Sequence, residues 1–435
     1  MGKSHSGLIK ALGLGSLIVY GVGDILGAGI YSIIGKIAGH GGSLTWLSFA
    51  IAMAIVFLTA LSYSELASRL PKSGGVSIYI QEAFGQKWMS IFAGLLLLSA
   101  TIFSMSTLSQ AFVGYLRTFG FNIPKWLGVC VFLSILMAIN IRGIKQSSIA
   151  NMISTFVEVS GLLMVIGCGL WFLSKSTSQA VVTPGEMPGI SDVFKGAALA
   201  FFAFTGFEDL VNVAEEAKDA KKNLPRAILS SLGAAGLLYL GVNWVATAII
   251  PGSELNQSDA PLFDVVSKSF PAMPHYLFSI IAIFAVSNTT LLSYITASRL
   301  LYGMSQSSLM PKCLQTVHRK YHTPYVAILV IFPLVLTLGL AGTLGELAST
   351  TSTIVLTVFS FSNIALIKIK LREKKRKQRI KTFKIPMVIP WLAVALNIAA
   401  ITFLPLRNVA HAAVFIAVCL LVSWIVLQME RKFMG

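Results

Sequence analysis

Three carboxylates stand inside stretches whose other residues suit the interior of a bilayer: Asp24, Glu158 and Glu208. An ionisable side chain at membrane depth is costly and marks a substrate path, an ion path or a proton relay. Asp24 precedes the triplet Gly27-Ala28-Gly29 by one turn, inside the apolar run 12–38. Glu208 follows Thr205 and Gly206 inside the run 194–217. Glu158 lies mid-run among Phe156, Val157, Val159 and Leu162. Each can carry a proton or pair with a cation. Asp24 can equally satisfy amides orphaned by a helix break, and Glu208 with Asp209 can complement the positive end of a new helix; both readings stand for these. Glu158 has no helix end nearby and reads as a titrating group.

The glycines beside Asp24 need their own account. Gly21-Val-Gly23-Asp-Ile-Leu-Gly27 has the spacing of a dinucleotide fingerprint, but no strand precedes it and no acid follows at the right distance. Gly23 and Gly27, four apart, form a small-residue face for close helix packing. A third glycine at Gly29 exceeds what packing needs, and each glycine weakens a helix by about 1 kcal/mol. The first break therefore falls at Gly27-Ala28-Gly29, and the second at Thr205-Gly206-Phe207-Glu208-Asp209. Unpaired backbone survives at membrane depth only inside protein or along a cavity. Breaks at matching places in two halves of a chain point to the binding site of a small-molecule transporter.

The elements that must position these residues are membrane helices. The chain has 435 residues, 55% hydrophobic and 12% charged, against about 25% charged in soluble domains. Apolar runs near 20 residues long fall at 14–37, 43–68, 88–117, 126–141, 148–173, 193–217, 226–250, 274–304, 324–342, 347–367, 386–404 and 410–428. This predicts an all-α polytopic membrane protein with twelve transmembrane helices in a single membrane domain, 1–435. The net charge of +17 does not imply nucleic acid, because its distribution is that of a membrane topology. With the N-terminus inside, 27 of the 34 Lys and Arg fall on the cytoplasmic side and seven outside: Lys36, Arg117, Lys125, Lys175, Lys195, Lys268 and Arg407. Both termini are thus expected in the cytoplasm. The basic run from Lys368 to Lys384 is expected to lie against anionic lipid headgroups.

Pro71 and the pair Gly74 and Gly75 end the second span, with Glu65 and Arg69 spaced for a helical ion pair. Glu215, Glu216, Lys218, Asp219, Lys221 and Lys222 crowd the connection after the sixth span, a solvated loop that can also pair with other cytoplasmic loops. Cys130, Cys168, Cys313 and Cys419 are scattered, without disulfide or metal spacing. His318 and His322 lie in a basic loop without a carboxylate or thiol nearby and read as solvated. The N-terminal residues 1–6 formally fit a myristoylation pattern, superfluous for a protein with a dozen spans, and no cleavable signal peptide is apparent. No cofactor, metal or obligatory protein partner is called for.

These motifs resemble those of the amino acid–polyamine–organocation (APC) permeases. The matching stretches are Leu26-Gly27-Ala28-Gly29-Ile30-Tyr31, Leu61 to Gly75, Phe201 to Glu208 with Glu215 and Glu216, Leu224-Pro225-Arg226-Ala227-Ile228, and Thr296 to Met304 followed by Leu309 to Lys312. The resemblance runs from about residue 8 to the C-terminus. It implies a LeuT-type fold, with helices 1–5 (12–173) and 6–10 (193–367) as inverted repeats, discontinuous helices 1 and 6, and two peripheral helices (386–428). It further implies an amino acid between the breaks. The carboxylate would meet the amides of Gly27, Ala28 and Gly29, with Ile30 next to them. The ammonium would meet the carbonyls of Ile25, Phe202 and Thr205, with Ala203, Gly206 and Glu208 beside it and Phe202 as an aromatic cover. Free amides at a helix start suit an anion, and free carbonyls at a helix end suit a cation. Several proton-coupled relatives carry a lysine at the position matching Glu158, so a lysine-based scheme does not carry over. Asp24, Glu158 and Ser293 are the ion-coupling candidates, for a proton or for sodium held near Thr289, Thr290 or Ser293.

The expected function is secondary active transport of amino acids across the plasma (inner) membrane by alternating access, as proton-coupled symport, with amino acid/polyamine exchange as the alternative. Three acids near the path make a cationic amino acid or a polyamine a plausible cargo. A non-transporting sensor would need a cytoplasmic domain, and a membrane enzyme a nucleophile elbow, a His/Asp pairing or metal spacing; none of these is in the sequence.

Overall fold

The computed structural model describes residues 12–72, 75–143, 148–175, 188–306, 310–376 and 382–434. The myristoylation pattern at 1–6, together with Ser73, Gly74, Leu309 and the middle of the basic run, lies outside them. The described chain is helical apart from turns and one isolated parallel bridge between Leu12 and Ala217. A helix stands at each of the twelve expected segments. Among the described residues nine helices are long and apolar enough to cross a bilayer, and Leu14–Leu26, Tyr325–Ala341 and Val388–Thr402 are shorter apolar helices. The protein is a multi-pass membrane protein.

The first span is two helices, α1 (Leu14–Leu26) and α2 (Ala28–Gly41), hinged at Gly27. A short turn about Gly42 leads into α3 (Thr45–Arg69), followed by the surface helix α4 (Gly75–Phe84). Then come α5 (Lys87–Arg117), α6 (Lys125–Arg142) and α7 (Ser148–Lys175). The sixth span starts as α8 (Ile190–Ala200) and never resumes as an α-helix. Phe201–Phe204 and Phe207–Val213 wind as 3-10 segments on either side of Thr205 and Gly206, and turns follow up to Ala220. Glu208 therefore opens a 3-10 segment, where an α-helix was expected. The cause is local. Gly206 has φ +118, and the segment keeps i→i+3 bonds such as Asp209 N–H to Gly206 O at 2.9 Å. Its rings are held by neighbours, with Phe204 5.2 Å from Tyr239 and Phe207 5.5 Å from Tyr63.

The second half continues with α9 (Ala220–Ile249), two short helices α10 (Gly252–Gln257) and α11 (Pro261–Ser269), α12 (His275–Gln306), α13 (Tyr325–Ala341), α14 (Leu344–Arg376), α15 (Val388–Thr402) and α16 (Leu406–Met434). α1 packs on α7 and α9, α3 on α9, and α5 on both α12 and α14. The close-packing reading of the glycines holds. A Cβ on Gly23 would stand 2.1 Å from Thr155 Oγ1, and one on Gly27 2.3 Å from Thr289 Oγ1.

One end of the bundle is closed by charge. Buried Glu65 accepts hydrogen bonds from Arg69 Nε at 2.9 Å, Lys370 Nζ at 2.8 Å and the Ile385 amide at 2.9 Å, and Arg69 also pairs with Glu373. The expected Glu65–Arg69 pair is thus part of a network joining α3 to α14. The start of the basic run turns inward too. The Lys368 ammonium sits 3.9 Å from the Phe84 ring centroid, and Arg372 donates to the last carbonyls of α4, Glu82 and Ala83. The connection after the sixth span is tied to the start of α1 by main chain: the Leu12 amide donates to Glu216 O and the Lys218 amide to Leu12 O.

Candidate functional site

The two breaks face each other. A Cβ on Gly29 would stand 2.9 Å from Ala203 Cα, and one on Gly206 2.7 Å from Asp24 O. Only glycine allows the hinge of the first span to approach the hinge of the sixth so closely, and Gly206 needs its positive φ as well. Around them lies a cavity with about 60 Å³ open to the centres of water molecules. One water needs roughly 10–15 Å³ on that measure, so the space suits a small organic molecule.

Of the residues expected at the site, Asp24, Ile25, Gly27, Gly29, Phe202, Ala203, Thr205, Gly206, Glu208 and Ser293 line this cavity. Ile30 does not; it is fully buried in the core. The main-chain groups divide as follows. The Gly27 amide donates to Gly23 O at 3.1 Å, closing α1, so it is not one of the open donors. The open donors are the first amides of α2, those of Ala28, Gly29 and Ile30, which a helix start leaves without intrahelical partners. On the acceptor side, Phe202 O takes the Thr205 hydroxyl at 2.8 Å, and Ile25 O takes the Tyr239 hydroxyl at 2.5 Å. The same Tyr239 oxygen lies 3.0 Å from Ala203 O. A carbonyl has two lone pairs: Ile25 O keeps one for a ligand, whereas Phe202 O also takes the Thr205 amide at 3.4 Å and can meet a ligand only by sharing.

Among the described residues the cavity lining holds three carboxylates, Asp24, Glu208 and Asp209, and no Lys, Arg or His. They are not equivalent. Glu208 Oε2 accepts the Gly206 amide at 2.9 Å, the capping role weighed for it. Asp209 Oδ1 accepts Asn212 Nδ2 at 3.0 Å. Asp24 Oδ2 is buried without a hydrogen-bond partner. A buried carboxylate oxygen in that condition calls for a proton or a cation.

Glu158 lies behind the cavity, fully buried. Its Oε1 accepts Asn288 Nδ2 at 3.1 Å and its Oε2 has no partner. The Tyr31 phenol donates to its main-chain oxygen at 2.8 Å. Asn288 adjoins Thr289, which packs on Gly27, so Glu158 reaches the first break through one residue of α12. Thr290 donates to Val286 O at 2.6 Å and lies outside the lining, whereas Thr289 and Ser293 are in it.

The sequence reading missed Tyr239, Asp209 as a cavity residue, and the wall formed by α5 and α14. That wall carries Leu97, Thr101, Ser104 and Leu108 on one helix and Thr351 and Val355 on the other. Their spacing of three and four residues is a helix face, but the partner of that face is visible only in the packed structure.

Over residues 12–426 the chain matches the amino acid permease family. It belongs to that family, within the APC superfamily. Among amino acid permeases and related carriers, it is 28% identical to the branched-chain amino acid permease BcaP of Bacillus subtilis, over 99% of this chain and 96% of that one. It is 32% identical to the chloroplastic cationic amino acid transporter 9 of Arabidopsis thaliana, over 73% of this chain and 59% of that longer protein. A methylthioribose transporter of Bacillus subtilis is 28% identical over 89% of this chain and 86% of its own length. Relatives with such different named cargoes make the residues of the cavity, not family membership, the place to argue substrate.

Proposed function

We propose that this amino acid permease is a secondary active transporter that carries amino acids across the plasma membrane by alternating access, as a proton symporter. The observation that carries the reading is the apposition of the two hinges, Gly29 on Ala203 and Gly206 on Asp24, around one acid-lined cavity. The substrate carboxylate meets the amides of Ala28, Gly29 and Ile30. The ammonium meets Phe202 O, Thr205 O and the Asp24 carboxylate. The twelve helices cross as two inverted repeats, 12–173 and 193–367, with 386–428 peripheral and both termini in the cytoplasm. Asp24 and Glu158, each with an unpartnered buried oxygen, are the proton carriers. The absence of basic residues from the lining favours cargo with a positive group in addition to its α-ammonium, as the cationic amino acid transporters among the relatives carry by name.

The test is uptake of a labelled panel of amino acids and polyamines into proteoliposomes, with pH and sodium gradients imposed separately. Accumulation of at least one amino acid under a pH gradient alone is expected. Glu158→Gln should lose that accumulation and retain exchange of internal for external substrate. Accumulation driven by sodium alone, or a Glu158→Gln protein that concentrates substrate like the wild type, would refute the coupling assignment.

A further inference from the structure

A second cavity opens at the end of the bundle opposite the Glu65 network. It provides about 100 Å³ to water centres, and Lys36, Arg117, Lys125 and Asp259 are its charged lining, with Ser32, Gln110 and Ser258 beside them. Only seven of the 34 basic residues are assigned to this side of the membrane, and three of the seven converge here. The two lysines are held in place by neutral groups. Lys36 Nζ donates to Asn256 O, and Lys125 Nζ to Gly342 O at 3.3 Å. Arg117 pairs with Asp259 at 3.1 Å, an exposed pair. Among the described residues neither lysine has a carboxylate partner. Three cations against Asp259 leave the lining positive by two charges, with the Glu346 carboxylate near Lys125 standing outside it. It also sits directly above the substrate cavity. The Ser32 hydroxyl donates to Gly29 O at 2.9 Å, and Gln110 follows Leu108 of the central lining on α5.

We propose that this vestibule is an anion-recognition site that takes the carboxylate of an incoming substrate on Lys36, Lys125 and Arg117 before it passes to the amides of α2. The proposal rests on the reading of the chain as an amino acid transporter. The two cavities then have opposite signs, basic outside and acidic within. An amino acid, which carries both charges, satisfies both. A polyamine lacks the carboxylate and is repelled at the entrance. Concave sites of one sign raise the local concentration of the opposite charge and speed its entry by about tenfold or more.

Two measurements on the full-length protein test this. The first compares uptake kinetics of the wild type with those of the double variants Lys36→Gln/Lys125→Gln and Lys36→Arg/Lys125→Arg, using L-lysine, L-leucine and cadaverine. The Gln pair should raise KM for the transported amino acid about tenfold, leave the maximal rate within twofold, and leave cadaverine no worse than before; the Arg pair should behave as wild type. An unchanged KM in the Gln pair overturns the proposal. So does loss of wild-type uptake when chloride is replaced by isethionate, which would assign the site to an inorganic anion. The second measurement does not require transport. The variant Leu344→Cys, at a residue lining the vestibule, in a Cys313→Ser background, should react at least tenfold faster with an anionic than with a cationic methanethiosulfonate, and lose that preference in the Gln pair. A wild type that transports nothing, with the thiol preference still present in the Leu344→Cys variant, refutes the transport reading alone. Absence of the preference refutes the vestibule.

Discussion

Tyr239 brings a single phenolic proton to two main-chain oxygens, Ile25 O from the first hinge and Ala203 O from the sixth span. Its ring is fixed between Phe49 and Phe204, at 5.9 and 5.2 Å, so the hydroxyl can be removed without disturbing the packing. Tyr239→Phe should fold normally and raise KM for the transported amino acid by about two- to tenfold, the range for one lost hydrogen bond of net value about 0.5–1.5 kcal/mol. The maximal rate should change less. Uptake kinetics beside a thermal unfolding curve will check this; an unchanged KM would mean the bridge does not shape the site. At this scale the sequence was informative where chemistry is out of place. Asp24, Glu158 and Glu208 stand out because a carboxylate among leucines and phenylalanines has no ordinary reason to be there. Tyr239 does not stand out, because a tyrosine in an apolar helix is unremarkable until its partners on two other helices are known. Gly27 was legible as a hinge but not in its detail. Its amide closes α1, which moves the open donors one residue along, to Ala28, Gly29 and Ile30.

Most helix ends were legible to within a few residues, since each span is a long apolar run; the exceptions are polar extensions, with α9 starting at Ala220, α14 running on to Arg376 and α16 to Met434. What the runs did not reveal is how the sixth span continues after its break. Apolar composition fits a 3-10 segment as well as an α-helix, and the choice is made by Gly206 and by aromatic packing against α3, α9 and α14. The small helices α10 and α11 were likewise passed over as a connection, because each is too short to show a period. The breaks, by contrast, follow from backbone chemistry and make a sharp test. Gly206→Ala must accept both φ +118 and a Cβ 2.7 Å from Asp24 O, a strain of about 1–3 kcal/mol placed where the two hinges meet. It should reduce substrate binding at least tenfold. Gly167→Ala, on α7 with nothing within 4 Å of the added carbon, should leave binding unchanged. Equal effects of the two substitutions, read by equilibrium binding to purified protein, would remove the special role of the second hinge.

For the whole molecule, the assignment of sides governs everything built on it, because the basic vestibule is an entrance only if its end of the bundle is external. The charge count is the argument for that assignment. Even without the ten basic residues from Lys368 to Lys384, the remaining split is 17 to 7, and each basic loop residue is expensive to move across a membrane whose inner leaflet is anionic. The structure adds that the loops on the crowded side hold together. Thr323, beyond α12, donates to Ile141 O at the end of α6 at 2.6 Å, so the segment with Cys313 shares its side with Arg142 and, through α5, with Arg69. Cys313 is the exposed cysteine among the four; Cys130 and Cys168 are half-buried and Cys419 is buried. A membrane-impermeant maleimide should therefore label the wild-type protein in inside-out vesicles and leave it unlabelled in right-side-out ones. Cys313→Ser should lose most of the label in both. Labelling of Cys313 from outside would invert the topology. The acid-lined cavity and its hinges would remain, but the cationic vestibule would then face the cytoplasm and act at release instead of capture.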